Sequence, residues 1–76
     1  MMLQNGHYRM VTAAAWGAKG GILATAAEDD TVKVWRRDGI LLHTFRLHGM
    51  GVWSLAVHPD GNVIAAGSVS GTVTLL

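Results

Sequence analysis

The stretch Thr25–Trp35, TAAEDDTVKVW, decides the fold of this chain. A run of small residues leads into three consecutive acids, Glu28, Asp29 and Asp30. A β-branched, alternating run, Thr31-Val32-Lys33-Val34, then closes on Trp35. Alternation of this kind belongs to a strand, and a polar cluster between two apolar runs belongs to a turn. Three carboxylates could equally serve as acid–base groups or metal ligands. The choice depends on whether the pattern recurs without them.

It does recur. Displacing the chain by 41 residues aligns His7 with His48, Val11 with Val52, Ala15 with Ala56 and Gly20 with Gly61. The same displacement aligns Ala24 with Ala65, Thr31 with Thr72 and Val32 with Val73. Composition alone would supply about two or three such identities. Apolar character is kept where identity is lost: Trp16 meets Val57, Ile22 meets Val63, Leu23 meets Ile64 and Val34 meets Leu75. Internal repetition at this period is the mark of repeat architectures.

Each unit reads as short antiparallel strands. MVTAAAW (10–16) and GVWSLAV (51–57) have the composition of buried strands. Turns follow, GAKGG (17–21) in the first unit and HPDGN (58–62) in the second. Pro fixes φ there, Asp bonds its own backbone and Gly accepts positive φ. ILATA (22–26) and VIAAGS (63–68) come next, then polar turns at Glu28–Asp30 and Ser70–Gly71, then TVKVW (31–35) and TVTLL (72–76). Asp38-Gly39 marks a hairpin into ILLHTF (40–45), so a complete unit has four strands. The alanine runs favour helix intrinsically, but Gly17, Gly20 and Gly21 interrupt them, and the second unit carries Val, Leu and Pro in corresponding places. The expectation is an all-β chain.

Bulk properties narrow the function. Seventy-six residues make at most one small domain, and a chain this short buries only about 60% of its unfolded surface. With no cysteine, a disulfide framework and a thiolate zinc site are excluded. The formal charge of +1 gives no electrostatic reason for nucleic acid or an anionic membrane as a partner. No apolar run approaches transmembrane length, and His7 and Arg9 interrupt the start before a signal-type stretch develops. A soluble, cytoplasmic chain is the default expectation.

A 41-residue, four-stranded unit with a His near its start and Asp-x-Thr-Val-x-Val-Trp at its close resembles the WD-repeat (tryptophan–aspartate repeat) β-propeller family. The resemblance runs from about Gly6 to Leu76. Gly6-His7 is similar to the family's Gly-His pair, Asp29 to its turn aspartate and Trp35 to its closing tryptophan. It implies four-stranded antiparallel propeller blades: a first repeat at 1–46, with a short lead-in, and a second at 47–76 that stops before its last strand. It also implies a structural hydrogen-bond network of His7, Thr25, Asp29 and Trp35. An indole N–H only donates, a carboxylate only accepts, and imidazole or hydroxyl does both, so the four can satisfy one another. The second copy departs from the pattern, with Leu47 for Gly6, Ala66 for Thr25, Ser70 for Asp29 and Leu76 for Trp35; only His48 is kept. About two blades form an incomplete ring, since propellers have about four to eight. The chain is therefore expected to be a portion of a larger propeller, its remaining blades supplied in cis, or by self-association in trans.

The chain carries few residue patterns that chemistry could use. His7, His43, His48 and His58 show no H-x-H or H-E-x-x-H spacing, and the acid run lacks the alternating ligands and downstream Glu of a calcium loop, so no metal site is expected. GSVSG (67–71) places Val69 where a nucleophile elbow needs serine. Gly49-Met50-Gly51 meets Ser54 at the third glycine position of a phosphate-binding loop. KVWRR (33–37) reads as an interior Trp35 followed by a solvated hairpin shoulder, a weak basis for phosphate contact. No enzyme activity and no cofactor are expected.

The resemblance further implies partner docking at residues flanking the first strand's leading Val and at the residue before the turn aspartate. These are Met10, Thr12 and Glu28 in the first unit, and Gly51, Trp53 and Val69 in the second. Trp53 is favoured because tryptophan is over-represented among interface hot spots. The leading expectation is a non-catalytic scaffold for protein–protein interaction. One alternative is an accessory propeller that positions substrate for an enzyme or RNA-modifying complex. A second is a short-chain homo-oligomeric propeller that binds a small ligand or carbohydrate; Trp16 and Trp35, read as structural, count against it.

Overall fold

The computed structural model describes residues 10–17, 21–47, 51–59 and 63–76. Among them there are seven strands and no helix: β1 (Val11–Trp16), β2 (Ile22–Ala27), β3 (Thr31–Arg36), β4 (Leu41–Arg46), β5 (Val52–Val57), β6 (Ile64–Ser68) and β7 (Val73–Leu75). They form two antiparallel sheets, one in the order β1-β2-β3-β4 and one in the order β5-β6-β7. The alanine runs are strands, because the glycines around them and the pairing with Val-rich β3 outweigh their helical propensity.

The sequence repeat is also a repeat of register. Ala14 faces Thr25 and Ala15 faces Ala24 in the first sheet; Leu55 faces Ala66 and Ala56 faces Ala65 in the second. A bulge interrupts β1 between Val11 and Ala13, and β5 carries its counterpart between Val52 and Ser54. Ala24 pairs with Val34 and Ala26 with Val32, as Ala65 pairs with Leu75 and Gly67 with Val73. Turn bonds follow suit: Asp30 N donates to Ala27 O and Gly71 N to Ser68 O. The chain reverses there through a residue with positive φ, Asp30 at 63° and Gly71 at 88°. Asp tolerates this region better than most side chains, and glycine enters it freely.

The core lies between the sheets, with β5 packed against β1 and β2. From the first sheet come Ala24, Ala26, Val32 and Val34; from the second come Val52, Ile64 and Ala66, all buried. Phe45, Leu55 and Leu76 pack around them. Small residues on β2 admit the branched side chains of β5 and β6 closely. A fully buried Val contributes about 1.5–3 kcal/mol relative to exposure, and Val32 and Val52 are each so placed.

Two expectations about burial change. β1 and β5 form as strands, but each is an edge strand with only one row of side chains facing the opposite sheet, so much of each is exposed. Trp16, read as structural, is 56% exposed at the end of β1, whereas Trp35 is 1% exposed. Central position in the sheet separates the two tryptophans: Trp35 lies between β2 and β4, and Trp16 has a neighbour only on the β2 side.

Candidate functional site

The buried polar centre of the first sheet is built on β2 and β3. Thr25 and Trp35 lie on the same face, opposite the interior one, and the Trp35 indole N–H donates to Thr25 Oγ1 at 3.0 Å. Both residues are buried. Asp29, in the turn, accepts from Thr31 N at 3.1 Å and from Thr31 Oγ1 at 2.6 Å. The Asp-x-Thr spacing that permits this Asx turn is legible in the sequence, yet Thr31 was not among the expected network residues. His7 lies outside the described residues, as does His48. In the second sheet a hydroxyl cluster occupies the same turn: Ser70 Oγ is 2.8 Å from Ser68 Oγ and 3.4 Å from Thr72 Oγ1, and Thr72 N donates to Ser68 Oγ.

The six residues singled out for partner contact lie at one end of the two sheets, where β1 and β5 begin and the β2–β3 and β6–β7 turns return. Glu28 N donates to Met10 O at 2.9 Å, and Val69 N donates to Gly51 O at 3.2 Å, so each turn is tied to the start of the edge strand beside it. Gly51 has φ 59°, and a Cβ there would come within 3.2 Å of Val69 Cγ2, which makes glycine the suited residue. Met10, Trp53 and Val69 are exposed at 66%, 52% and 70%, and Glu28 is exposed beside them. Thr12 differs from the other five: its hydroxyl donates to Val52 O at 2.6 Å and so joins the two sheets. Trp53, the Thr12 counterpart in the second bulge, is instead half exposed.

The clearest ion pair among the described residues lies on the β3–β4 hairpin, where Arg36 grips Asp38 at 2.7 Å in an exposed, two-pronged contact. The hydrogen bond from Arg36 lowers the Asp38 carboxyl below its ordinary range, and the same bond raises Arg36. Arg36 and Arg37 are both exposed, as a hairpin shoulder should be. Among the described residues, no three His, Asp or Glu side chains gather where they could hold a metal ion. No helix of the described residues is long and apolar enough to cross a membrane.

The family model for the WD domain, G-beta repeat, matches residues 2–36 and again 39–75. WD repeat-containing protein VIP3 of Arabidopsis thaliana is 37% identical over 76 residues, which cover 93% of this chain and 24% of that protein. Protein Notchless of Drosophila melanogaster is 45% identical over 56 residues, covering 72% and 11%. Subunit I of eukaryotic translation initiation factor 3 from Neurospora crassa is 29% identical over 75 residues, covering 97% and 22%. Among solved structures, the computationally designed Ika4 protein superposes with a TM-score of 0.79 at 32% identity, over 97% of this chain and 44% of that one. The chain spans a quarter or less of the length of these curated relatives. Two matches to the repeat model, carried on two sheets of common register, have one meaning: the chain belongs to the WD40 repeat family, and its sheets are blades of an incomplete propeller ring.

Proposed function

We propose that the chain is part of a non-catalytic, cytoplasmic scaffold that holds protein partners on the rim formed by Met10, Glu28, Gly51, Trp53 and Val69. The observation that supports this most is the exposure of three large apolar side chains, Met10, Trp53 and Val69, at one end of two rigid sheets. Met and aromatic residues are enriched in interfaces, and a rigid edge-and-turn platform orders them at little entropic cost. Thr12 serves this rim indirectly, by fixing β1 against β5. His7, Thr25, Asp29 and Trp35 form the supporting network of the first repeat, residues 1–46, while the second repeat, 47–76, relies on apolar packing. A second reading, an accessory subunit that positions a substrate within a larger complex, draws on the name of the initiation-factor relative, which is a subunit of its assembly.

A photo-crosslinking residue in place of Trp53 tests the proposal in cells. It should join the chain to a distinct protein, and Trp53→Ala should weaken binding of that protein at least tenfold, as expected of a hot spot. Unchanged affinity in the Trp53→Ala chain would remove Trp53 from the interface. A tagged chain found outside the cytoplasm would remove that part of the reading.

A further inference from the structure

The β3–β4 hairpin forms one edge of the first blade, and its charge differs from that of the chain as a whole. Of the six Lys and Arg residues, four stand between Lys33 and Arg46, against one of the five acids, Asp38. Arg36 holds Asp38. Arg37 and Arg46 are exposed cations, one before β4 and one at its end, with His43 exposed between them. Ile40, Leu41 and Leu42 are exposed along the same stretch. Edge cations by themselves repel unwanted strands; an apolar run beside them does not serve that end. β4 has β3 on one side and, among the described residues, no strand on the other. The second blade packs through β5 on β1 and β2, at the opposite side of the sheet. Blades stacked face to face in this way cover the faces of a sheet and leave the backbone of this edge open.

The strand register determines what the open edge offers. Thr31 lies opposite Arg46, so Asp30 lies opposite Leu47, and Leu47 N donates to Asp30 O. Bonded and non-bonded pairs alternate along an antiparallel ladder. His43 and Phe45 therefore turn their N–H and C=O groups to β3, while Thr44 and Arg46 turn theirs outward. Outward backbone groups suit another strand and oppose burial in lipid hydrocarbon, where nothing would bond them. A second copy of the chain is a poor fit: its β4 carries the same cations, and its edge strands β1 and β7 carry no charge. We infer that β4 receives an extended, acidic segment of a partner protein as an added strand. The segment's backbone bonds Thr44 and Arg46, its carboxylates meet Arg37 and Arg46, and its apolar side chains cover Leu42. Main-chain bonds supply affinity in this mode of recognition, and side chains select the sequence. β4 has six residues, a span of about 20 Å, which sets the length of the segment. The edge shares no residue with the rim proposed above.

A labelled peptide of alternating Glu and Val, about six residues long, should bind the chain, and the same peptide with Lys for Glu should not. Amide hydrogen exchange at Thr44 and Arg46 should slow at least tenfold when the acidic peptide saturates the chain. Arg37→Glu combined with Arg46→Glu, both at exposed positions, should reverse the preference and keep the β circular dichroism intact. Thr44→Pro removes one outward N–H, a change that edge strands tolerate, and should weaken the acidic peptide at least tenfold. Trp53→Ala should leave that binding unchanged, which separates the edge from the rim. No binding of the acidic peptide at millimolar concentration would overturn the inference. Equal binding of the two peptides, or acidic binding that survives charge reversal at both arginines, would do the same. Capture of a short RNA or of phosphatidylserine vesicles in place of the acidic peptide would also overturn it, since the cations would then serve phosphate.

Discussion

In the first blade, β3 runs through Thr31, Val32, Val34 and Trp35, all buried; in the second, β7 holds the same register with Val73 and Leu75 in solvent. Backbone geometry does not account for the contrast, because pairing, bulge and turn recur at every equivalent position. Two differences do. The first blade has β4 beyond β3, which makes β3 central, whereas β7 is an edge strand. It also has a polar centre, Trp35 donating to Thr25, where the second blade has Leu76 and Ala66. The two copies show that the blade's backbone tolerates loss of its polar centre, provided that apolar packing between blades holds the strands in place.

The largest expected effect separates the two blades at that centre. Trp35→Ala removes a fully buried indole and should cost about 3–5 kcal/mol, enough to unfold a chain this small. Leu76→Ala, at the equivalent position but half-buried, should cost clearly less. Urea unfolding followed by circular dichroism, at one fixed protein concentration, measures both. Equal losses would mean that the second blade depends on its closing residue as much as the first does.

Next in size is the polar centre itself. Thr25→Ala leaves the Trp35 N–H without its threonine acceptor and should cost about 1–3 kcal/mol. Trp35→Phe, which removes the donor as well as the second ring, should make a subsequent Thr25→Ala cheap. Asp29→Ala removes the acceptor of Thr31 N and Oγ1 and should also lower the melting temperature. An unchanged melting temperature would exclude Asp29 from the network. Near-additive losses for Thr25→Ala and Trp35→Phe would show that the two side chains do not act as a pair.

Most of this fold was legible in the sequence for a specific reason. The register of a half-buried sheet is fixed by its apolar rows, and two copies of one pattern constrain each other, so strands, turns and pairing could be placed from Val11–Val52 and Ala24–Ala65 onward. Exposure was less legible. Trp16 and Trp35 each close an apolar strand, and nothing local says which strand has neighbours on both sides. Thr12 was hidden for a similar reason: its acceptor, Val52 O, lies in the other blade, and only the packing of β1 on β5 brings the two together. The rim positions could be named from the resemblance, but composition does not distinguish an exposed Trp53 from one that covers a neighbour.

The smallest effect tests the turn that the two blades share. Asp30 and Gly71 occupy the same place with φ of 63° and 88°, and a Cβ built on Gly71 meets nothing within 4 Å. A substitution there therefore alters backbone conformational energy and adds no clash. Gly71→Ala should cost about 1 kcal/mol, the order expected for a left-handed residue with a Cβ. Gly71→Asp should cost less, because Asp bonds its local backbone in this region and the first blade already uses it. The order Ala below Asp below Gly in urea midpoint would show that the repeat constrains this turn through φ alone. If Gly71→Ala were silent, the second blade's turn would be free to relax, and the common geometry of the two turns would owe more to the strands on either side than to the residue between them.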